Sequence, residues 1–251
     1  MELSNHTVLI VGGTSGIGLG LAQRFARAGS TVIVGGRRAD PALDLPGDVH
    51  SVAIDVTDPQ SVARARDEVV ERFPDLDLVV TMAGVLLVED LRDPTHFATA
   101  ETTISVNVLG TIRTIDAFTP HLIARGAGTF MTVSSGIGFL PFPLMATYGA
   151  SKAAVHAYSE ALRAQLDGTG VDVVELVPPA VATTPQQQEM NPAALDLDDY
   201  LDEVTALLAA DPTPREILVK GVQVHRWAER DGTYDDLVAK RSQALSMLPG
   251  R

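Results

Sequence analysis

No cysteine occurs in the 251 residues, which excludes a disulfide scaffold, a thiolate zinc site and a cysteine nucleophile, and agrees with a reducing cytoplasm. Basic charge is also scarce: 19 Lys and Arg stand against 32 Asp and Glu, a formal net charge of −13. Such a chain repels phosphate backbones and anionic lipid at long range, so neither nucleic acid nor a membrane surface is an expected partner. No apolar run reaches the ~18 residues that span a bilayer. Met1 to His6 lack the basic and apolar regions of a secretion signal. The expectation is a soluble, cytoplasmic protein. A chain of this size buries roughly 70–75% of its unfolded surface, and one domain over residues 1–251 is expected.

Short β-branched runs alternate with longer helical patterns, the signature of an α/β fold whose parallel sheet carries helices on both faces. Strands are predicted at 7–11, 31–34, 49–54, 76–81, 129–133 and 171–177. Helices are predicted from 18 to 28, near 60–72, and over 97–124 and 147–167. Residues 183–215 depart from this rhythm with three successive glutamines, four prolines and an amphipathic stretch at 195–208. They read as a helical excursion, either a solvated surface helix or a substrate-covering segment. From 215 to 230 the chain reads helical, and Asp231-Gly232 marks a turn.

Val11-Gly12-Gly13-Thr14-Ser15-Gly16-Ile17-Gly18 joins the first strand to the first helix. Absent side chains at 12, 16 and 18 let backbone N–H groups and the helix N-terminus meet a pyrophosphate. Leu19 stands where a Walker-type loop needs lysine, and a turn serving only strand–helix geometry stays open. Tyr148 and Lys152, four apart on a helix, share one face. An ammonium beside a phenol favours phenolate and draws the phenol toward neutral pH, where it can exchange a proton with a carbonyl or alcohol oxygen.

Gly12-x-x-x-Gly16-x-Gly18, Ala83-Gly84, Asn107, Ser135 and Tyr148-x-x-x-Lys152 occur in an order and spacing that resembles the short-chain dehydrogenase/reductase family, over about residues 5–185. Ser134-Ser135-Gly136 and Pro178-Pro179-Ala180-Val181 look like its DltE-type branch. The resemblance implies a Rossmann-type doubly wound sheet and catalysis by Asn107, Ser135, Tyr148 and Lys152. Tyr148 would be general acid/base, Lys152 would also bind the nicotinamide ribose, Ser135 would hold the substrate oxygen, and Asn107 would anchor a water in a proton relay. Ser134 competes for the serine role, but the spacing to Tyr148 favours Ser135. Cofactor contacts implied are Gly12, Thr14, Ser15, Gly16, Ile17, Gly18, Ala83, Gly84, Tyr148 and Lys152, with Asp55 and Val56 at the adenine and Val181 and Thr183 at the nicotinamide carboxamide.

Gly36 stands where an NAD-selective relative would carry an acid, and Arg37 and Arg38 follow it. A guanidinium grips a 2′-phosphate through paired hydrogen bonds, so NADP(H) is expected, with NAD(H) the alternative. Val85, Leu86, Leu87, Phe139, Phe142 and the segment from Thr184 would wall a pocket for a hydrophobic ketone or secondary alcohol, unless they serve the core. The six histidines show no metal-ligand spacing, and no Gly-x-Ser-x-Gly elbow is present. Departures from the family pattern are Val11, Thr81 and Met82 near the cofactor, Pro179, and the lack of a recognisable final strand. The last weighs against the family's common homotetramer and favours a homodimer through the two long central helices. The expected activity is that of an NADP(H)-dependent carbonyl reductase or alcohol dehydrogenase. The alternatives are an epimerase or dehydratase reusing the same Tyr and Lys, and a non-catalytic cofactor-binding sensor.

Overall fold

The unbroken apolar run Thr7–Val11 forms strand β1, buried on both sides because Val8 and Ile10 face one core and Leu9 and Val11 the other. The computed structural model describes residues 1–38 and 46–250; positions 39–45 and 251 of the expected domain lie outside the described residues. After β1 come α1 (Gly16–Arg27), β2 (Thr31–Gly36), β3 (Val49–Ala53), α2 (Pro59–Arg72) and β4 (Leu78–Thr81). Next are α3 (Phe97–Ile104), α4 (Gly110–Arg125), β5 (Gly128–Val133), α5 (Ala146–Gln165) and β6 (Val171–Leu176). The last third holds β7 (Val181–Ala182), α6 (Pro185–Met190), β8 (Leu195–Asp196), α7 (Leu197–Leu208), β9 (Glu216–Ile217), α8 (Lys220–Arg226) and α9 (Tyr234–Ser242).

Seven parallel strands run in the order β3-β2-β1-β4-β5-β6-β9, the Rossmann-type doubly wound sheet, in one domain. Strand order reverses between β1 and β4, which opens a crevice at their carboxyl ends. On one face α1, α7 and α8 contribute Leu21, Phe25, Tyr200, Leu201 and Val222 to the core. On the other, α2 and α4 contribute Val62, Val69, Ile115 and Phe118. Local signals hold the ends: Asp58 caps α2 by accepting from the Gln60 N–H at 2.9 Å, with Pro59 in the first turn. Gly126, at φ +67°, ends α4 in the left-handed conformation.

Three expectations are corrected. Residues 215–230 are not one helix: Glu216 and Ile217 pair with Glu175 and Leu176 as the final strand before α8 begins. Only two residues long and without the period of a strand run, β9 is held by its neighbour rather than by its own pattern. The 97–124 helix is interrupted at Ser105–Leu109 by a π-helical turn containing Asn107. Within the 183–215 excursion, α7 buries Tyr200, Leu201, Val204 and Leu208 against α1. Gly20 permits that approach, since a Cβ there would lie 2.3 Å from Leu201 Cδ1. No helix among the described residues is long and apolar enough to cross a membrane.

At the amino ends of the strands His6 Nδ1 bonds Asp77 Oδ2 at 2.7 Å, and Asp77 Oδ1 accepts from the Thr7 N–H. The Asp77 hydrogen bond, opposed by burial, raises the His6 pKa above 6.5. A raised folded value means that the pair's stabilisation is complete below the unfolded pKa and fades as pH rises through the folded one. Substituting His6→Ala is therefore expected to lower the unfolding midpoint more at about pH 5.5 than at about pH 9. Equal losses at both would show that the ion pair contributes nothing.

Candidate active site

The carboxyl ends of β1, β4, β5 and β6 bring the predicted residues together through contacts that depend on missing side chains. Gly12, at φ +93°, lies so close to the β4 end that a Cβ would be 2.6 Å from Ala83 N. A Cβ on Gly18 would be 2.4 Å from Gly12 O, and one on Gly16 3.3 Å from Thr183 Cγ2. Ser15 begins α1 without a side-chain cap, leaving first-turn N–H groups for a ligand rather than a hydroxyl. This is a cradle that side chains would fill, and it fits a dinucleotide pyrophosphate. Thr14 packs on the end of β2, where a Cβ on Gly36 would meet Thr14 Cγ2 at 2.7 Å, and Arg37 and Arg38 follow as exposed residues.

Asp55 Oδ1 accepts from the N–H and hydroxyl of Thr57 at 2.9 and 2.7 Å. Those bonds, with help from Arg37, hold its carboxyl below the usual range. Val56 is turned inward: its side chain approaches Gly110, and its carbonyl accepts from the Arg113 guanidinium. Val181 lies on β7, beside Thr183.

Tyr148 and Lys152 lie on the first turns of α5, with Lys152 Nζ 5.7 Å from the Tyr148 ring centroid. Ser135 lies close enough to Tyr148 to act on its hydroxyl, favouring the ionised form. Lys152 is buried and donates to Val133 O, at the end of β5, at 2.8 Å. The sequence argument expects the ammonium to draw the phenol down; instead burial pushes Tyr148 up, only partly offset by Ser135. Burial also brings Lys152 down to about 8, opposed by the charge of Glu175. Desolvation penalises the charged form of each group, and it is the largest influence on both.

Asn107 is fully buried, and its amide makes three hydrogen bonds to protein. Oδ1 accepts from the Val85 N–H at 2.8 Å, and Nδ2 donates to Val85 O at 2.9 Å and Ser151 Oγ at 3.0 Å. Ser151 in turn donates to Tyr148 O at 2.7 Å. Through these bonds Asn107 braces the β4 exit against the tyrosine helix. Ser134, the rival serine, points away and donates to Glu175, whereas Ser135 Oγ donates to Pro178 O at 3.3 Å.

Beyond Gly84, Leu86, Leu87 and Val88 are exposed. Phe139 is engaged elsewhere, its ring edge-on to His156 at 4.7 Å and under the Arg226 guanidinium at 4.5 Å. Sequence reasoning missed three residues. Buried Glu89 accepts from the N–H and hydroxyl of Thr147, at 2.7 and 2.8 Å, and so ties the Leu86–Val88 loop to the start of α5. His225, pushed down to about 4 by burial and by Arg241, stands against Gly136, where a Cβ would lie 2.5 Å from its Nδ1. The third, Glu175, is an acid in the strand run Val171–Leu176, flanked by apolar residues and buried where the strand's other acid, Asp172, is exposed. The brace is testable by Asn107→Leu, which strands both polar groups of Val85 in the interior. The expected cost is ~2–4 kcal/mol by chemical denaturation, since each orphaned buried group costs ~1–3 kcal/mol; a loss below about 1 kcal/mol would show the bonds to be dispensable.

Residues 6–194 match the family model described as short chain dehydrogenase. The chain is 34% identical over 201 residues to the uncharacterized oxidoreductase DltE of Bacillus subtilis, covering 78% of this chain and 79% of that one. It is 36% identical over 178 residues to sulfoacetaldehyde reductase 2 of Chromohalobacter salexigens, covering 68% and 71%. In structure it is similar to a short chain dehydrogenase from Burkholderia cenocepacia crystallised with NADP, with TM-score 0.82 and 25% identity over 95% of this chain and 99% of that one. With the glycine cradle, the buried lysine and the Ser135–Tyr148 pair on one sheet edge, these matches establish that the chain belongs to the short-chain dehydrogenase/reductase family of oxidoreductases.

Proposed function

We propose that this enzyme is an NADP(H)-dependent carbonyl reductase that passes a proton from Tyr148 to the oxygen of a hydrophobic ketone. The observation that carries this reading is buried Lys152 with its Nζ 5.7 Å from the Tyr148 ring centroid, at the strand end that bears Ser135. Burial raises the phenol above its usual value, so it keeps the proton that reduction of a ketone requires. Ser135 would hold the substrate oxygen as negative charge develops there. Lys152 would bind the nicotinamide ribose and keep positive charge under the phenol.

Gly12, Gly16 and Gly18, with the N–H groups of Ser15 and Ile17, would hold the pyrophosphate. Asp55 and Val56 would take the adenine end, and Val181 and Thr183 the carboxamide. When bound, the nicotinamide supplies the hydride, which no side chain can. Thr14 fills the space beside Gly36 where an acid would reach the ribose hydroxyls, and Arg37 and Arg38 leave basic charge there for a 2′-phosphate. The NADP bound to the Burkholderia relative supports that choice. The name of the sulfoacetaldehyde reductase relative supports carbonyl reduction. Exposed Leu86, Leu87 and Val88, with Met190 at the end of α6, favour an apolar substrate over a sulfonated one, and α6 with its flanks is the segment we assign to cover it. We further propose a homodimer across α4 and α5, working in the cytoplasm: Leu109, just before α4, and Ile123 on it are exposed, as are Ala150, Ala153, Ala154 and Ala157 on α5.

NADPH is expected to bind at least ~10-fold more tightly than NADH, ~1.4 kcal/mol, with the margin lost in Arg37→Ala. Equal affinities would reverse the cofactor assignment. Tyr148→Phe should cut turnover of a ketone panel by ~10²–10⁴ while leaving NADPH affinity nearly unchanged; activity surviving in that variant would refute the proton path. Sedimentation equilibrium is expected to return a dimer, and a monomer would remove the α4–α5 interface.

A further inference from the structure

The face of α5 that carries Tyr148 and Lys152 continues one turn to His156, because residues four apart lie one above the other. Beneath it, strand register sets Thr132, Glu175 and Glu216 abreast on β5, β6 and β9. Thr132 is satisfied by Ser159 at 2.7 Å. Glu175 has no solvent exposure at all, and a carboxylate so placed is tolerated only when paired and hydrogen-bonded. Both oxygens are used: Oε2 accepts from His156 Nδ1 at 2.8 Å, and Oε1 accepts from the Ser134 hydroxyl.

Ligand atoms of His156, Glu175 and Glu216 fall within 4.8 Å of one another, the spacing of a cation site. Glu216, however, is gripped by Arg226 through both oxygens, at 2.7 and 3.2 Å. Guanidinium and imidazole already close this cluster, so its work is inward, toward the catalytic face. Ser134 adjoins Ser135, and His156 lies one turn from Lys152.

We propose that Glu175 is a positioning residue and the buried counter-charge of the active site. Through Ser134 it holds the strand end bearing Ser135, through His156 the helix face bearing Lys152, and its negative charge keeps an ammonium in the interior. The inference rests on the reading of Tyr148 and Lys152 given above. Its electrostatic part agrees with the direction in which Glu175 acts on Lys152, upward against burial. His156 is faced by Glu175 from β6, Glu216 from β9, Arg226 from α8 and the Phe139 ring, with Glu160 one turn along α5. Its hydrogen bond to Glu175 raises its pKa above 6.5, against desolvation. While His156 is protonated the pair is neutral; once it is not, the pair is anionic and holds the Lys152 proton more firmly.

The chain has three lysines, Lys152, Lys220 and Lys240, so nitrogen-15 NMR of the ammonium groups resolves Lys152 without cofactor or substrate. In Glu175→Gln the Lys152 titration midpoint is expected to fall by ~1 pH unit, because an attractive charge is gone. In His156→Gln it should not fall, because the negative charge stays. The alkaline limb of kcat/KM for NADPH-dependent ketone reduction should move down with the Lys152 midpoint in Glu175→Gln. An unchanged midpoint, an equal fall in both variants, or an unmoved alkaline limb would overturn the proposal. Should Glu175→Gln fail to fold, the wild-type protein decides: the Lys152 signal must inflect where the His156 imidazole titrates, and a flat response there would overturn the coupling. A wild-type protein with no ketone reductase activity would sink the functional reading alone, since the NMR titration is independent of turnover.

Discussion

A lysine ammonium buried between a helix and a sheet end is the constraint to which the rest of the site answers. Moving such a charge out of water costs several kcal/mol even after relaxation, and the chain offsets this with oxygen atoms and close backbone approach. Val133 O, at the last residue of β5, accepts one proton at 2.8 Å. Gly138 lets the following turn lie against α5, since a Cβ there would be 2.9 Å from Ala153 N. Gly84 passes the same ammonium at the end of β4, where a Cβ would sit at ordinary contact distance, 3.4 Å from Asn107 Oδ1 and 3.8 Å from Lys152 Nζ. The lysine is thus enclosed by backbone and by positions without side chains, which fixes it beneath Tyr148 more firmly than packing of flexible chains would.

The same economy of side chains organises the cofactor cradle. A doubly wound sheet delivers the carboxyl ends of all its strands to one edge, but strand ends alone do not make a cleft. Gly12 against Ala83, Gly16 against Thr183 and Gly18 against the Gly12 carbonyl bring three separate segments into contact around one turn. The first two contacts tie the cradle to other strand ends: Ala83 leads into the loop braced by Asn107, and Thr183 follows β7. A change at any of these glycines would disturb both halves of the site.

Much of this was legible in the sequence because it is local. The run Thr7–Val11, the glycine spacing and the Tyr148–Lys152 interval are periodic or short-range signals, and they identified the fold and the residues that meet at its edge. What escaped was set by partners distant in the chain. Glu216 and Ile217 become a strand only because Glu175 and Leu176 offer an edge. The amphipathic stretch at 195–208 could not announce whether its apolar face met solvent-side cover or core, and the answer came from Gly20 making room for Leu201. Glu89 and His225 carry no motif, and their importance lies in a Thr147 backbone N–H and a bare Gly136. The π-helical turn at Asn107 is likewise invisible to a 3.6-residue period, which tolerates one extra residue per turn.

Burial acts on tyrosine and lysine in opposite directions, and this sets what the pair can do. Phenol is the uncharged form of one and amine the uncharged form of the other, so desolvation raises Tyr148 and brings Lys152 down to about 8. By the groups of this chain alone, the lysine therefore loses its proton before the tyrosine does, and an adjacent ammonium–phenolate pair is not the resting arrangement at neutral pH. A protonated phenol beside an ammonium is, and that arrangement can give a proton but not take one. Oxidation of an alcohol needs the reverse, a phenolate, and so demands further positive charge at the ring. Among the described residues, the acid that pulls against burial at Lys152 is Glu175, which has no exposure. The charge of Lys152 is thus influenced from behind, by an acid on the β6 strand.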